Sequence, residues 1–564
     1  MPAARARIVK LAIGLTALAV VGAVVGVGIA VWRASSIVNP LLRAWAVKTV
    51  AEQSRGVYRL DMSRLHLNWL QRHVHIDSLR LSTNTATNVR RAHPLSDVTV
   101  VLYDCTLSGV RLTTLIRGAG LVARSLGCRV GNAAVIVTRK VRDTTVTPHP
   151  FLVFKSRVQL PSLLPRVRIS HVTFPALGID FRLVDARRGD TRLELKRLQW
   201  RMADFAIDPA DSSTATRPLF SRSIELLGEN MVAHPGGSTA LRVGMLAANL
   251  SDSTLEARDV VYEPTLTQAE FARLHPYRRD YITITAGRVR AQGLDVGALV
   301  LGEGARARRV GVDSFRADVT TDWHRPSRHR VHRWPQQWLA DLDQSVSLDS
   351  VVLQEGEIVY REDRPGHVRP GAVTFAHLQA TAVNVRHVNG RRARGDAMAL
   401  ITTSLLQNAG RFDVGFTVPL DAPSFDMTFR GTLGAMPATA LNRFIQEVFP
   451  WRIAAGEIAK VDFAAVVTNG VADGMITPLY TGLAVDVTRK GSKGILGTPG
   501  IVGHTVRDVA SLATNLTMVK DDNPAHRRKP PRTGTIHHVF TPQETLPGFL
   551  WASVRDGLLL VIRK

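Results

Sequence analysis

Val346-Ser347-Leu348-Asp349-Ser350-Val351-Val352-Leu353, leading through Gly356 into Ile358-Val359-Tyr360, decides how this chain folds. Apolar residues recur at every second position, and successive side chains of a strand point to opposite faces. The stretch therefore reads as β-structure with one apolar face. A second copy of the phrase lies upstream. Arg166-Val167-Arg168-Ile169-Ser170-His171-Val172-Thr173-Phe174 leads through Gly178 to Ile179-Asp180-Phe181. Strand, glycine turn, strand is hairpin and meander chemistry. Its repetition predicts an elongated sheet that grows strand by strand, with a pair of ordinary sandwiches as the alternative.

The same alternation runs outward in both directions. Val98, Val100 and Leu102 show it, as do Ile282 and Ile284, then Phe315, Ala317 and Val319. Phe412, Val414, Phe416 and Val418 continue it into Phe425, Met427 and Phe429. Strands with one apolar and one polar face predict an antiparallel sheet wet on one side. A second sheet, helices or a bound apolar ligand must cover the other.

Helical patterns are few. Asn39-Pro40 starts one that ends at Gly56, and others are read over Thr265–Arg278, Pro335–Asp343, Pro437–Val448 and Pro499–Val519. Asp521–Thr533 is charged and Pro-rich and reads as a mobile linker, and Leu546–Ile562 is a short apolar end.

Leu11 to Trp32 contains no charged residue, and Arg5, Arg7 and Lys10 precede it. A helix rising about 1.5 Å per residue crosses a hydrocarbon core of about 30 Å with such a stretch. Leu11, Leu15, Leu18, Val25, Ile29 and Trp32 are thus expected in a membrane anchor. Ile29-Ala30-Val31-Trp32-Arg33 lacks a small-x-small cleavage site, which favours an uncleaved anchor. Basic residues flank both ends, so charge does not orient it. Residues 34–564 are placed outside the cytoplasm because long domains translocate largely regardless of charge, with a cytoplasmic domain on a reversed anchor as the alternative.

The chain has 564 residues and a net charge of +25. The charge is dispersed, its densest runs lying among Pro, Gly, Ser and Asn, which reads as solvated loops. Nucleic-acid signatures are missing, and aromatics make up 6%. Cys105 and Cys128 are the two cysteines. They could pair in an oxidising compartment or remain two buried thiols.

The chain carries no P-loop, no G-x-S-x-G elbow and no H-E-x-x-H helix. Gly491-Ser492-Lys493-Gly494 lacks P-loop spacing. His324, His329 and His332, and His73 with His75, lack acidic or cysteine partners at ligand spacing. No enzyme activity, cofactor or metal is expected.

Several segments together resemble a known family. They are the anchor and short helix, Val57-Tyr58-Arg59-Leu60-Asp61, Val74-His75-Ile76-Asp77-Ser78-Leu79-Arg80-Leu81 and Gly356-Glu357-Ile358-Val359-Tyr360-Arg361-Glu362. Gly431-Thr432-Leu433-Gly434-Ala435-Met436, Thr468-Asn469-Gly470 and Pro478-Leu479-Tyr480 follow in order. In this combination the chain resembles the AsmA-like proteins of bacterial envelopes.

The resemblance implies a single-pass inner-membrane protein with its bulk in the periplasm. The fold expected is mainly β with a few short helices, after one N-terminal transmembrane helix. Extended, curved antiparallel sheet, single or divided, forms an apolar groove. The function implied is outer-membrane or envelope biogenesis, binding or conducting phospholipid along that groove. Ile169, Phe181, Ile284, Ile358, Tyr360, Phe416 and Phe429 are its candidate lining. An envelope scaffold that binds proteins is the alternative, and an envelope enzyme or glycan binder the third reading.

The expected order is a tail (1–10), the span (11–32), a juxtamembrane helix (33–56) and a first β-rich region (57–322). A basic loop with a short helix (323–344), a second β-rich region (345–520), a linker (521–533) and a C-terminal segment (534–564) follow. The break between bodies is expected near residues 322–335.

Overall fold

The computed structural model describes residues 43–563, apart from 90–96, 140–165, 186–189, 299–303, 327–333, 338–344, 388–395, 488–518 and shorter gaps. The expected anchor therefore lies outside the described residues. Among the described residues the protein is mainly β, with 21 strands in one hydrogen-bonded sheet and a few short helices. The chain divides into two compact units. One runs to Met231 and includes 249–251, and the other comprises 232–248 and 252–564.

The first unit contains β1 (Tyr58–Met62), β2 (Leu65–Asn68), β3 (His73–Thr83), α1 (Thr85–Val89), β4 (Asp97–Ser108), β5 (Leu121–Arg139), β6 (Val167–Asp185) and β7 (Thr191–Ile207). Alternation becomes a row of directly opposed apolar residues. Leu60, Leu81, Val100, Ala133, Ile179 and Leu195 face one another from β1 through β3, β4, β5 and β6 to β7. Opposed pairs of this kind are the unit of sheet stabilisation.

The strands β8 (Ser223–His234) and β9 (Thr239–Asn249) run across the division. The second unit holds β10 (Thr254–Pro264), α2 (Gln268–Leu274), β11 (Asp280–Gln292), β12 (Gly304–Asp322), β13 (Ser345–Asp363), β14 (Gly371–His387), β15 (Ala397–Leu406), β16 (Gly410–Pro419), β17 (Met427–Leu433) and β18 (Met436–Pro437). Then come α3 (Asn442–Val448), β19 (Trp451–Thr468), β20 (Val471–Val487), β21 (Gly534–Val539) and α4 (Leu546–Ile562). α2 is shorter than the sequence suggests because Pro276 follows His275 and disfavours helix there.

Two neighbours are parallel, against the expectation of a purely antiparallel sheet. β5 pairs with β6, and β12 with β13. Parallel neighbours need a crossover of about a dozen residues or more, and 140–166 and 323–344 are both long enough. The expected break at 322–335 is thus the inside of a crossover. The flanking strands pair across it from Gly304–Ser345 to Asp322–Asp363.

The crossovers belong to a repeated module, β3–β7 and β10–β14. Gly109 and Gly120 in the first correspond to Gly293 and Gly304 in the second, all with positive φ. A side chain at Gly120 would strike the Arg166 carbonyl, and one at Gly304 the Ser345 carbonyl. The Val110 amide donates to the Arg72 carbonyl at 3.0 Å, as Leu294 does to Ser253 at 2.9 Å. Arg111 donates to Val122 at 2.8 Å, and Asp295 to Arg306 at 2.9 Å. The repeated phrase of the sequence is one long strand in each module, β6 and β13, rather than a hairpin. Its glycine region is a register shift, at Leu177 in one and Gly356 in the other.

Residues 521–533 do not hang free as a linker. Asn523 is fully buried and exchanges backbone hydrogen bonds with Tyr480 in β20, at 2.8 and 3.0 Å. Its side-chain amide donates to the carbonyls of Pro478 and Arg532, and its oxygen accepts from the Arg532 amide at 2.8 Å. Replacing Asn523 by Leu leaves buried backbone groups unpaired, each costing about 1–3 kcal/mol. Asn523→Leu is expected to lose about 2–4 kcal/mol in denaturant unfolding. A loss below about 0.5 kcal/mol would mean that the segment contributes nothing to the fold.

Candidate functional site

The candidate site is the apolar face of the second unit. One row runs Leu255, Ala291, Val310, Val351, Ala382, Leu400, Phe416, Phe429 and Ala465, each opposite the next from β10 through β17 to β19. A second runs Tyr262, Ile284, Ala317, Ile358, Phe375 and Leu406. A third runs Ile282, Val319, Tyr360 and Val373.

Strict alternation would not keep these rows together, because Leu353 and Ile358 differ in parity. Register shifts around Gly356 absorb the odd residue, and Glu355 sits at φ +52°. Asp259, Ser314 and His377 take positive φ in β10, β12 and β14. These irregularities let the apolar side continue along each strand.

The other side carries cross-strand ion pairs. Arg288 meets Asp313 at 2.9 Å and Arg361 meets Asp318 at 2.7 Å, while within β16 Arg411 meets Asp413 at 2.9 Å. The hydrogen bond from Arg411 holds the Asp413 carboxyl below its ordinary pKa, and those from Arg290 and then Arg258 do the same to Glu256. Such exposed pairs add little stability singly, but they mark this side as wet.

The sequence candidates fall into distinct environments. Ile284 and Ile358 share one row, Tyr360 lies in the next, and all three are partly exposed. Phe416 opposes Phe429, but Phe429 is buried in a closed core. Ile169 is likewise buried, with Val110, Ala123 and Val172, in the first unit. Phe181, also in the first unit, is partly exposed between Val135 and Leu193. Ile169 and Phe429 therefore line no open surface. Leu11, Leu15, Leu18, Val25, Ile29 and Trp32 lie outside the described residues. Among the described residues, no helix is long and apolar enough to cross a membrane.

Cys105 and Cys128 are disulfide-bonded, buried and directly opposed. In the second module the equivalent pair is Val289 and Val312. Among the described residues, no group of three His, Cys, Asp or Glu side chains is arranged to hold a metal.

Sequence reading missed how the face ends. α4 packs against β20 and β21, burying Phe549, Ala552 and Val561. It seals the core that contains Phe429, Ala465, Ile476 and Ile536. His538 fastens it: Nδ1 lies 3.2 Å from Asp556 on the helix, and Nε2 3.1 Å from Glu544. The hydrogen bond to Asp556, then that to Glu544, raises the His538 pKa to about 9, against the opposing effect of burial.

No protein-family model matches the chain, and no curated protein matches its sequence.

The raised pKa has a thermodynamic consequence. Folding favours protonated His538, so its stabilisation is fully present below the unfolded value of about 6.5 and is lost as pH rises through 9. Wild-type stability should fall by on the order of 2–3 kcal/mol between pH 6.5 and 9.5, and that of His538→Gln by much less. Equal slopes in pH-dependent denaturant melts would show that this contact does not fasten the helix.

Proposed function

We propose that this protein is a membrane-anchored, non-enzymatic component of a bacterial envelope that binds or conducts phospholipid on the apolar face of its sheet. The carrying observation is the set of in-register apolar rows across β10–β15, partly exposed at Ile282, Ile284, Val310, Val351 and Ile358. A contiguous apolar surface left in water marks an interaction site on a folded protein. Acyl chains suit it because each buried methylene is worth about 0.8 kcal/mol and demands no hydrogen bond. The ion-paired opposite side supplies the wet surface such a carrier needs.

The localisation rests on the uncharged stretch Leu11–Trp32 and on the resemblance to AsmA-like proteins. The Cys105–Cys128 disulfide is in keeping with an oxidising compartment such as the periplasm. The closed core beneath α4 favours a second reading, a scaffold whose apolar face is covered by protein.

Native mass spectrometry of the full-length chain, purified gently in mild detergent, separates the two. Stoichiometric phospholipid is expected on the wild type and lost in Ile358→Asp without unfolding. Ile401→Asp should retain it, since Ile401 is 65% exposed and alternates with Leu400 of the apolar row. A folded wild type carrying no lipid would reject lipid binding in favour of the scaffold.

A further inference from the structure

The apolar rows of the second unit end in a polar cluster. Beyond Ile282, Val319 and Tyr360 the next opposed positions are Asp280, Thr321 and Glu362. The Thr321 hydroxyl donates to Asp280 at 2.6 Å, and the Tyr360 hydroxyl to Glu362 at 3.1 Å. Arg364 donates to the other Glu362 oxygen at 2.8 Å. The guanidinium groups of Arg278 and Arg364 both lie over the Trp323 ring, 3.6 and 4.1 Å from its centre. Backbone bonds from Arg278 to Pro326 and from Trp323 to Asp363 tie the three strand ends together.

The module does not need this cluster in order to fold. At the equivalent register positions of the first module, Val137 and Leu183 replace Thr321 and Glu362. The first module thus carries no charged residue at register positions where the second buries a carboxylate. A buried carboxylate and two guanidiniums on one ring are costly to assemble unless each charge finds a partner.

Glu362 has its partner in Arg364. Arg278 does not have one. Its guanidinium makes no hydrogen bond or ion pair among the described residues, and its Nε is buried without an acceptor. Burial, and then the like charge of Arg364, lower its pKa from the usual value; Glu362, Tyr360 and Asp280 oppose this. Arg279 and Arg325 line an adjoining cavity of about 340 Å³ with Tyr277 and Tyr281. Asp322 and Asp363 line it too, and Arg325 pairs with Asp322 at 3.8 Å, so this cavity is of mixed charge.

We infer that Arg278, held on Trp323 beside Arg364, binds the phosphate of a phosphodiester headgroup whose acyl chains lie on the adjoining apolar rows. The inference rests on the proposed function and names where a lipid's polar end is read. A planar guanidinium fork matches phosphate oxygens bidentately and remains able to stack on an aromatic ring. Its position suits an amphiphile: Tyr360 belongs to the last apolar row and touches Glu362 of the cluster.

Calorimetric titration of the full-length protein in mild detergent tests this with four probes. They are dihexanoylphosphatidylglycerol, dihexanoylglycerol without phosphate, glycerol phosphate without acyl chains, and hexanoate. The phospholipid should bind Arg278→Gln at least about tenfold more weakly than wild type, the loss of one charge-assisted hydrogen bond. Dihexanoylglycerol should bind both alike. Arg278→Lys keeps the charge but not the fork, so it should also weaken phospholipid binding, and it decides the matter if the glutamine variant does not fold. Unchanged phospholipid affinity in the folded variants overturns the headgroup site and leaves the acyl surface standing. No binding of either lipid to wild type overturns both. Glycerol phosphate binding as tightly as the phospholipid, with the same Arg278 dependence, keeps the phosphate site but overturns its lipid source. Hexanoate binding in that way overturns the choice of phosphate.

Discussion

The structure depends on keeping apolar side chains opposite apolar side chains over many consecutive strands. A strand displaced by one residue presents its other face, so a single slip would put the arginines of one row against the valines of the next. Register is specified wherever one face avoids water, and each strand is fixed by both neighbours. The row from Leu255 to Ala465 crosses nine strands without a charged residue. The bulges serve the same constraint. They bend the ladder and correct its parity, so that Leu353 and Ile358 can both belong to the apolar side.

The repeated module gives each unit its own control. Where the two copies agree, the feature belongs to the fold. Gly120 and Gly304 lie where a strand meets a carbonyl of its parallel neighbour, and any larger residue would force the two apart. Where the copies differ, the fold does not dictate the residue. A disulfide in the first copy stands where the second has Val289 and Val312, a covalent tie in place of a packed pair. The charged strand ends of the second copy stand where the first has Val137 and Leu183.

Much of the fold is legible in the sequence because a period of two is a local signal. Val346–Tyr360 and Val167–Phe181 each lie within one strand, and the alternation on either side of their glycines marks those parts as strand. Parallel pairing is not local. It depends on which strand a crossover returns beside, and the crossover residues carry no mark of that choice. The glycine region of the repeated phrase resembles a hairpin turn because a bulge and a turn both interrupt alternation. The difference lies in partners supplied by β7 and β14. Burial was equally hidden. Ile169 and Ile358 occupy similar alternating strings, yet one is sealed in a cluster and the other partly exposed. The segment 521–533 looks mobile because it is charged and Pro-rich. What pins it is Asn523, whose partners lie on β20 and at Arg532, together with Asp521 and Asp522, which accept from Leu483 and Gly482 of β20.

The two ends of the apolar face in the second unit solve the same problem differently. At β20 and β21 the protein supplies its own cover. Phe549 is fully buried, and the helix that carries it is apolar along most of its length. Burying a large side chain of this kind contributes about 1.5–3 kcal/mol, so several along α4 outweigh what a single ion pair such as His538–Asp556 can add. The ion pair instead fixes where the helix sits, since hydrocarbon contact has no direction. Across β10–β15 the rows stay partly exposed and finish at a guanidinium lacking a hydrogen-bond partner among the described residues. Hydrocarbon left in water costs free energy, and so does the buried Arg278 Nε that finds no acceptor. The amphiphile proposed above would satisfy them together, its chains covering the rows as α4 does at the other end and its headgroup anion offering Arg278 an acceptor.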